Sequence, residues 1–295
     1  RTLVIALMMM GVATTLIGLL PNYQSIGIAA PLLLVALRFV QGLAVGGQWG
    51  GAMLLVTESA PSEQRGWYGA YAQAGAAVGV ILANLAFLVV STSMSDEAFV
   101  EWGWRLPFIA SIVLIGISLY VQLRMEDTEA FRALQAARAG GEEQLAVIKS
   151  PVLEAIRRYP RRIMLAAGAF LSVQVTFYIL IAFVVAYGLN SPSVDLTRDQ
   201  ILTSVLIAAA AMIPALFYFS GLSDRVGRKQ VYRLGAILTG VWGFMLFPMI
   251  DTGSPIMITL AVTVGMIFLG MQYGPQAAYF TELFSTEVRY SGASL

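Results

Sequence analysis

Residues 46–65 read GGQWGGAMLLVTESAPSEQR, and residues 270–289 read GMQYGPQAAYFTELFSTEVR. Laid over each other at a constant offset of 224 residues (Gln48 to Gln272), the two stretches match at nine positions, seven identical and two similar. Gly46 meets Gly270, Gln48-Trp49-Gly50 meets Gln272-Tyr273-Gly274, and Thr57-Glu58 meets Thr281-Glu282. Ser62-Glu63 and Arg65 then meet Thr286-Glu287 and Arg289. Chance can produce one such pair, but hardly a fixed offset held over a helix and its following loop. The chain is therefore an internal repeat of two halves.

Outward from these stretches the sequence is strongly apolar. It is 58% hydrophobic and 12% charged, whereas soluble domains carry about 25% charged residues. Residues 2–37 and 163–190 contain no Asp, Glu, Lys or Arg. About 20 apolar residues cross a bilayer, and in lipid such a span must be helical to satisfy its own backbone. Soluble amphipathic helices would show a charged face at every turn. Eight spans are predicted: Thr2–Leu20, Pro31–Thr57, Trp67–Val90, Leu106–Leu123, Ile163–Leu189, Ile201–Leu222, Leu234–Ile250 and Ile256–Phe280. A charged stretch from Arg124 to Arg162 divides them four and four. The expected organisation is a helical bundle over 1–124, a cytoplasmic linker over 125–162 and a second bundle over 163–295.

Basic residues set the orientation. If the spans alternate, one side holds fifteen of the eighteen Lys and Arg, the other holds Arg105 and Arg198, and Arg38 lies inside a span. The rich side is cytoplasmic. The opposite side carries Asp96, Glu97, Glu101, Asp195, Asp199 and Asp251. Repeated halves of this kind are a transporter architecture, with a site between them near mid-membrane.

With no Cys and no His, the chain lacks thiolate chemistry, haem ligation by His and the usual zinc sites. An intramembrane enzyme would need a nucleophile–base pair or metal ligands within the spans, and a channel would need a polar ring or filter. Neither is readable, and no phosphate-binding loop is present.

Candidate site residues fall into two groups. Polar side chains inside spans are costly and usually face a bundle interior. Arg38, Gln41 and Gln48 share one face of the second span, beside a small-residue stripe of Gly42, Gly46 and Gly50 suited to close helix approach. Gln73 lies on the third span, Gln174 and Tyr178 on the fifth, and Gln272 and Gln276 on the eighth, flanking Pro275. Any one of them taken alone suits interhelical packing. Together, these amides, phenols and one guanidinium suit a polar or anionic metabolite. The second group is cytoplasmic. Glu58 and Glu282 sit at helix C-termini, against the dipole, and so call for cationic partners such as Arg65, Arg289 or arginines of other loops. Asp224 can pair with Arg225, Arg228 or a neighbouring base.

Gly221-Leu-Ser-Asp224-Arg225-Val-Gly227-Arg228-Lys229 resembles the loop signature between helices eight and nine of the major facilitator superfamily. Arg38-Phe-Val-Gln41-Gly42 resembles the motif on its helix four. Gln41 through Gly51, with Tyr273 through Gly292, looks like the metabolite:proton symporter family, which includes shikimate, α-ketoglutarate, citrate and proline/betaine carriers. The resemblance implies an all-α, two-bundle membrane fold covering about helices three to ten of twelve, with Arg1 close to the end of a first copy of the loop. It further implies a monomer in the bacterial inner membrane that takes a small-molecule substrate and protons, with no cofactor and no nucleic acid. Family members commonly carry Glu where this chain has Gln48, which cannot titrate. Coupling through a carboxylate elsewhere, coupling to another ion, and uniport all stay open.

Overall fold

A computed structural model of the chain describes residues 2–124, 156–194 and 196–283. Eight long helices occupy them: α1 (Thr2–Gly18), α2 (Ala29–Ser59), α3 (Arg65–Thr92), α4 (Arg105–Arg124), α5 (Pro160–Asn190), α6 (Arg198–Val226), α7 (Arg228–Ile250) and α8 (Pro255–Glu282). Among the described residues there is no strand. Each helix covers one predicted span. Six are long and apolar enough to cross a membrane, namely α2, α3 and α5–α8. A seventh span results if α4 is joined to the short segment Asp96–Gly103, which bends from it by 51°. The apolar part of α1, Val4–Gly18, is shorter.

Local chemistry sets the helix ends. Pro160 and Pro255 open α5 and α8, where a missing N–H costs nothing. Thr197 and Gln200 form a reciprocal capping box on α6, which satisfies two donors that would otherwise be orphaned. A single residue, Gly227, joins α6 to α7 at φ +100°. That left-handed conformation favours glycine. It lets both helices run into the predicted loop, so Asp224 and Arg228 stand on helix ends. The helix continues through Pro275. The irregular point lies instead in α5, where a π turn over Ile179–Phe183 interrupts the α geometry.

The described residues form two compact units, 2–55 with 85–124 and 56–84 with 156–283. In the first, α1 and α4 pack through Gly11 against Ile115 and Gly18 against Phe108. Arg105 ties their ends together, donating to the Leu20 carbonyl (3.1 Å) and Asn22 Oδ1 (2.6 Å). In the second, α8 lies at the centre. Gly270 packs on Ala215 of α6, Gly235 of α7 packs on Met271 and Gln272, and Gly265 packs on Leu180 of α5. Residues 56–84 of α2 and α3 belong to this unit, with Gly69 against Ala277. Lipid offers no hydrophobic drive between helices, so close approach at small residues and interhelical hydrogen bonds carry the packing. Large apolar side chains such as Phe244 and Met164 point outward, as a lipid-facing surface requires.

Candidate functional site

A polar cluster in the second unit gathers at the end where α6 meets α7. Asp224, near the C-terminus of α6, accepts hydrogen bonds from the backbone N–H groups of Gly66 (Oδ1, 2.9 Å) and Trp67 (Oδ2, 2.9 Å). These belong to the first turn of α3, where free donors and the positive end of the dipole favour an anion. Arg228 Nη1 donates to Asp224 Oδ1 at 2.8 Å, and Arg228 Nε donates to Glu282 Oε2 at 2.7 Å. The chain α3 amides–Asp224–Arg228–Glu282 thus links four helix termini. The fit around Gly66 is tight. A Cβ there would lie 2.7 Å from Asp224 Oδ1 and 2.8 Å from both Arg228 Nη1 and the Ser220 carbonyl. Trp67 and Tyr71 pack on Phe217 of α6, with ring centroids 5.2 and 4.8 Å away. Arg162 of α5 donates to the Leu283 carbonyl at 2.8 Å. Arg225 is exposed, and Arg65 buries its Nε without a hydrogen-bond partner. Glu58 is exposed at the end of α2. Arg289 lies outside the described residues.

Deeper in this unit, Gln73 is buried and donates to the Tyr273 carbonyl at 2.8 Å. This bond takes up a carbonyl of α8 and joins α3 to it. Gln272 is buried and donates to Thr239 Oγ1 of α7 at 2.8 Å. Gln276 is fully buried, and neither amide atom has a hydrogen-bond partner among the described residues. Gln174 is half-buried, and Tyr178 is exposed. In the first unit, Arg38 is exposed and donates to Gln41 Oε1 at 3.3 Å, while Gln41 Nε2 donates to Thr14 Oγ1 of α1 at 2.6 Å. Gln48 is half-buried on α2. Gly42 and Gly46 have nothing within 4 Å of an added Cβ. Of the glycine stripe expected to pack α2, Gly42 and Gly46 therefore meet no neighbour among the described residues, whereas Gly50 is buried.

Over residues 1–295 the chain matches the model of the Major Facilitator Superfamily. It belongs to that superfamily. It is 37% identical over 299 residues to the inner membrane metabolite transport protein YhjE of Escherichia coli, covering 99% of this chain and 66% of that protein. It is 36% identical over 296 residues to the shikimate transporter of Escherichia coli, covering 100% and 66%. With the proline/betaine transporter of the same organism it shares 31% over 296 residues, covering 99% and 58%. The chain spans about two-thirds of the length of the curated relatives it matches. Among solved structures, the proton:xylose symporter XylE bound to 6-bromo-6-deoxy-D-glucose has the same fold, with a TM-score of 0.68 at 16% identity over 99% of this chain and 68% of XylE.

The sequence of this superfamily member hid two features of the site. The partners of Asp224 on α3 are backbone amides. Every residue but proline has one, so no side-chain pattern marks them; the one available signal was Gly66 placed directly after Arg65. On the opposite end of the second unit, Asp251 Oδ1 accepts from Tyr187 Oη (2.7 Å) and Ser193 Oγ (3.2 Å). Asp251 was assigned to that side by charge, but its hydroxyl partners lie 64 and 58 residues earlier.

Proposed function

We propose that the chain is the greater part of a secondary active transporter. It moves a small polar or anionic metabolite across the bacterial inner membrane by alternating access, as a monomer, between bodies formed by residues 1–124 and 163–295 joined by the 125–162 linker. The cytoplasmic cluster is the observation that carries this reading. Asp224 holds the first turn of α3, from the first half of the sequence, onto α6 and α7 of the second. Opening that end requires the Asp224 carboxylate to leave two amides and Gln73 to leave the Tyr273 carbonyl. Glu282, Arg228 and Asp224 keep their ion pairs within the second half, so the charge cluster survives as a unit while its grip on α3 is made and broken. Arg65, Arg225, Glu58 and Arg289 belong to the same gate.

Arg38, Gln41, Gln48, Gln174 and Tyr178 are the residues proposed to face substrate in this state, and Gln73, Gln272 and Gln276, buried here, would do so only once their helices part. Arg38, largely uncommitted in its hydrogen bonding, suits a carboxylate, because its planar fork binds one bidentately. Likeness to carriers named for shikimate and for proline and betaine supports an organic acid or zwitterion. Proton coupling fits the same relatives, but Gln48 cannot carry the proton. A carboxylate at the gate or outside this chain does so. The alternatives are another coupling ion and uniport.

The test is uptake into energised vesicles by the full-length protein, offered shikimate, dicarboxylates, aromatic acids and betaines. Accumulation without nucleotide that an uncoupler collapses supports proton-coupled transport. Equilibration without accumulation supports uniport. Absence of uptake for every class of small polar solute counts against the assignment.

A further inference from the structure

Among the Lys and Arg residues, Arg105 and Arg198 alone were placed on the acidic side of the membrane by the alternation of spans. Arg105 stands in the first turn of α4, and the acceptors it meets among the described residues are neutral oxygens. It donates to the Leu20 carbonyl at 3.1 Å, to Asn22 Oδ1 at 2.6 Å and to the Glu101 carbonyl at 2.7 Å. The Trp104 ring centroid lies 4.6 Å from its guanidinium carbon. A Glu four residues before an Arg on a regular helix pairs with it through the carboxylate. Here Phe99–Gly103 is a π turn, the segment Asp96–Gly103 bends 51° from α4, and the guanidinium takes the Glu101 main-chain oxygen instead. Glu101 and Arg105 nevertheless line one cleft of about 420 Å³, together with Gly18, Leu19, Asn22 and Trp102. The cleft thus offers an anion and a cation side by side, with the exposed Trp102 among its walls.

A second hollow lies further along the same pair of helices. It is a trough of about 240 Å³ with Leu7, Met10 and Gly11 of α1 on one side and Ile115 and Ser118 of α4 on the other. Two hydroxyls that line it are turned onto their own helices, Thr14 donating to the Met10 carbonyl and Ser111 to the Phe108 carbonyl. The trough is therefore apolar in character. Gly11 lines the trough and Gly18 the cleft, and both mark where α1 and α4 touch. An added Cβ would lie 2.6 Å from Ile115 at Gly11 and 2.8 Å from Phe108 at Gly18. The dimensions match one leaflet. From Gly18 back to Leu7 the helix rises about 16 Å, at ~1.5 Å per residue, and half of a hydrocarbon core is about 15 Å.

We propose that the α1–α4 seam holds one zwitterionic phospholipid of the leaflet away from the cytoplasm, its phosphate on Arg105 and its ammonium on Glu101. Trp102 sits at headgroup depth, where tryptophan is favoured, and an acyl chain lies in the trough. Charge complementarity selects this occupant. A purely anionic headgroup has nothing to give Glu101. A primary ammonium donates charge-assisted hydrogen bonds to a carboxylate, which a quaternary one cannot, so an ethanolamine headgroup suits the cleft better than choline. A free solute with the same two charges would occupy the cleft and leave the trough unused. The site lies within the first unit and is independent of which metabolite is carried.

The experiment places the full-length protein in vesicles of phosphatidylethanolamine and phosphatidylglycerol with a trace of phosphatidylethanolamine carrying a diazirine on its acyl chain. After illumination, cross-linked peptides are mapped by mass spectrometry. Label should concentrate on α1 and α4 along Leu7–Gly18 and Arg105–Ser118, well above that around Phe244, which is 83% exposed on α7. Glu101→Gln keeps the main-chain oxygen that Arg105 uses. It should lower seam labelling about threefold, the scale of one exposed ion pair. It should also erase the preference over the same probe with a glycerol headgroup. Ser118→Phe fills the trough and should lower labelling by a similar factor while Glu101 and Arg105 stay in place. Seam labelling no stronger than at Phe244 overturns the proposal, as when another segment of the full chain fills the groove. Equal labelling of the parent by both headgroups overturns it as well. So does displacement of the probe by soluble phosphoethanolamine in a Ser118→Phe variant that labels like the parent, which would mark a site for a free solute.

Discussion

α2 and α8 carry the two copies of the same motif and end in different surroundings. Half of the most apolar stretch of α8 is buried, against 6% of that of α2. Gln272 and Gly270 are enclosed by α7 and α6, whereas Gln48 is half-buried and Gly46 faces open space; the equivalent pair Gly50 and Gly274 are both buried. At the helix C-termini both glutamates are exposed, and Glu282 is ion-paired to Arg228. A repeated motif thus specifies a helix and its acidic C-terminal end. It does not specify what that helix touches. In α8 the glutamine joins two helices; in α2 the equivalent glutamine is half-buried.

The comparison can be broken most forcefully at the latch. Asp224→Asn keeps the shape but removes the charge that α3 and Arg228 share. Uptake should fall more than tenfold while membrane insertion, read by fractionation, is unchanged. Normal uptake would reduce the second copy's elaborate end to a topology signal.

The paired glutamines come next. Gln272→Glu puts a carboxylate into an enclosed seam with Thr239 as its neighbour, and an unpaired buried charge costs several kcal/mol. The variant should lose a large share of its thermal stability or fail to accumulate. Gln48→Glu, on a half-buried face, should accumulate normally and make uptake depend on pH. Equal stability of the two variants would erase the distinction between the copies. A parent already steeply proton-coupled and unaltered by Gln48→Glu would put the coupling acid elsewhere.

Glycines sharpen the same contrast. A Cβ on Gly274 would lie 2.5 Å from Ser220 Oγ and 2.8 Å from the Leu216 carbonyl. Gly274→Ala should therefore lower stability by about 1–3 kcal/mol, read as a drop in thermal midpoint. Gly46→Ala should change the midpoint little. A large loss at Gly46 would mean that α2 packs as closely as α8 does, against a neighbour outside the described residues.

The smallest expected effect is at Arg38. Arg38→Lys keeps the charge and loses the planar fork, so binding of a carboxylate solute should weaken about tenfold at most, measured by competition of uptake. Unchanged binding would make the side chain structural, on a face that then differs from α8 in burial alone.

The apolar runs alone located all eight helices, because a bilayer of fixed thickness demands a minimum apolar length. The ends were less legible. The α6 span was read to Leu222 and the α7 span from Leu234, but the helices run to Val226 and from Arg228. Hydropathy stops at the first charged residue, whereas both helices run on to the break at Gly227. The candidate site was legible as a set of residue types. Asp224 was marked as wanting a base, and Arg228 supplies it. Gln73 and Gln272 were marked as polar within spans, and both satisfy packing bonds.

What the sequence determined by itself was the membrane class and the eight helices. Both follow from a local property, apolar length, while the side on which Lys and Arg lie and the fixed spacing predict an orientation and a repeat. Tertiary structure alone decided that Asp224 holds the amides of α3, that Glu282 takes Arg228, that α5 carries a π turn, and that Gln276 is sealed without a hydrogen-bond partner among the described residues. Each depends on atoms far apart in the chain and on backbone groups that every residue possesses, so no one-dimensional pattern could carry it.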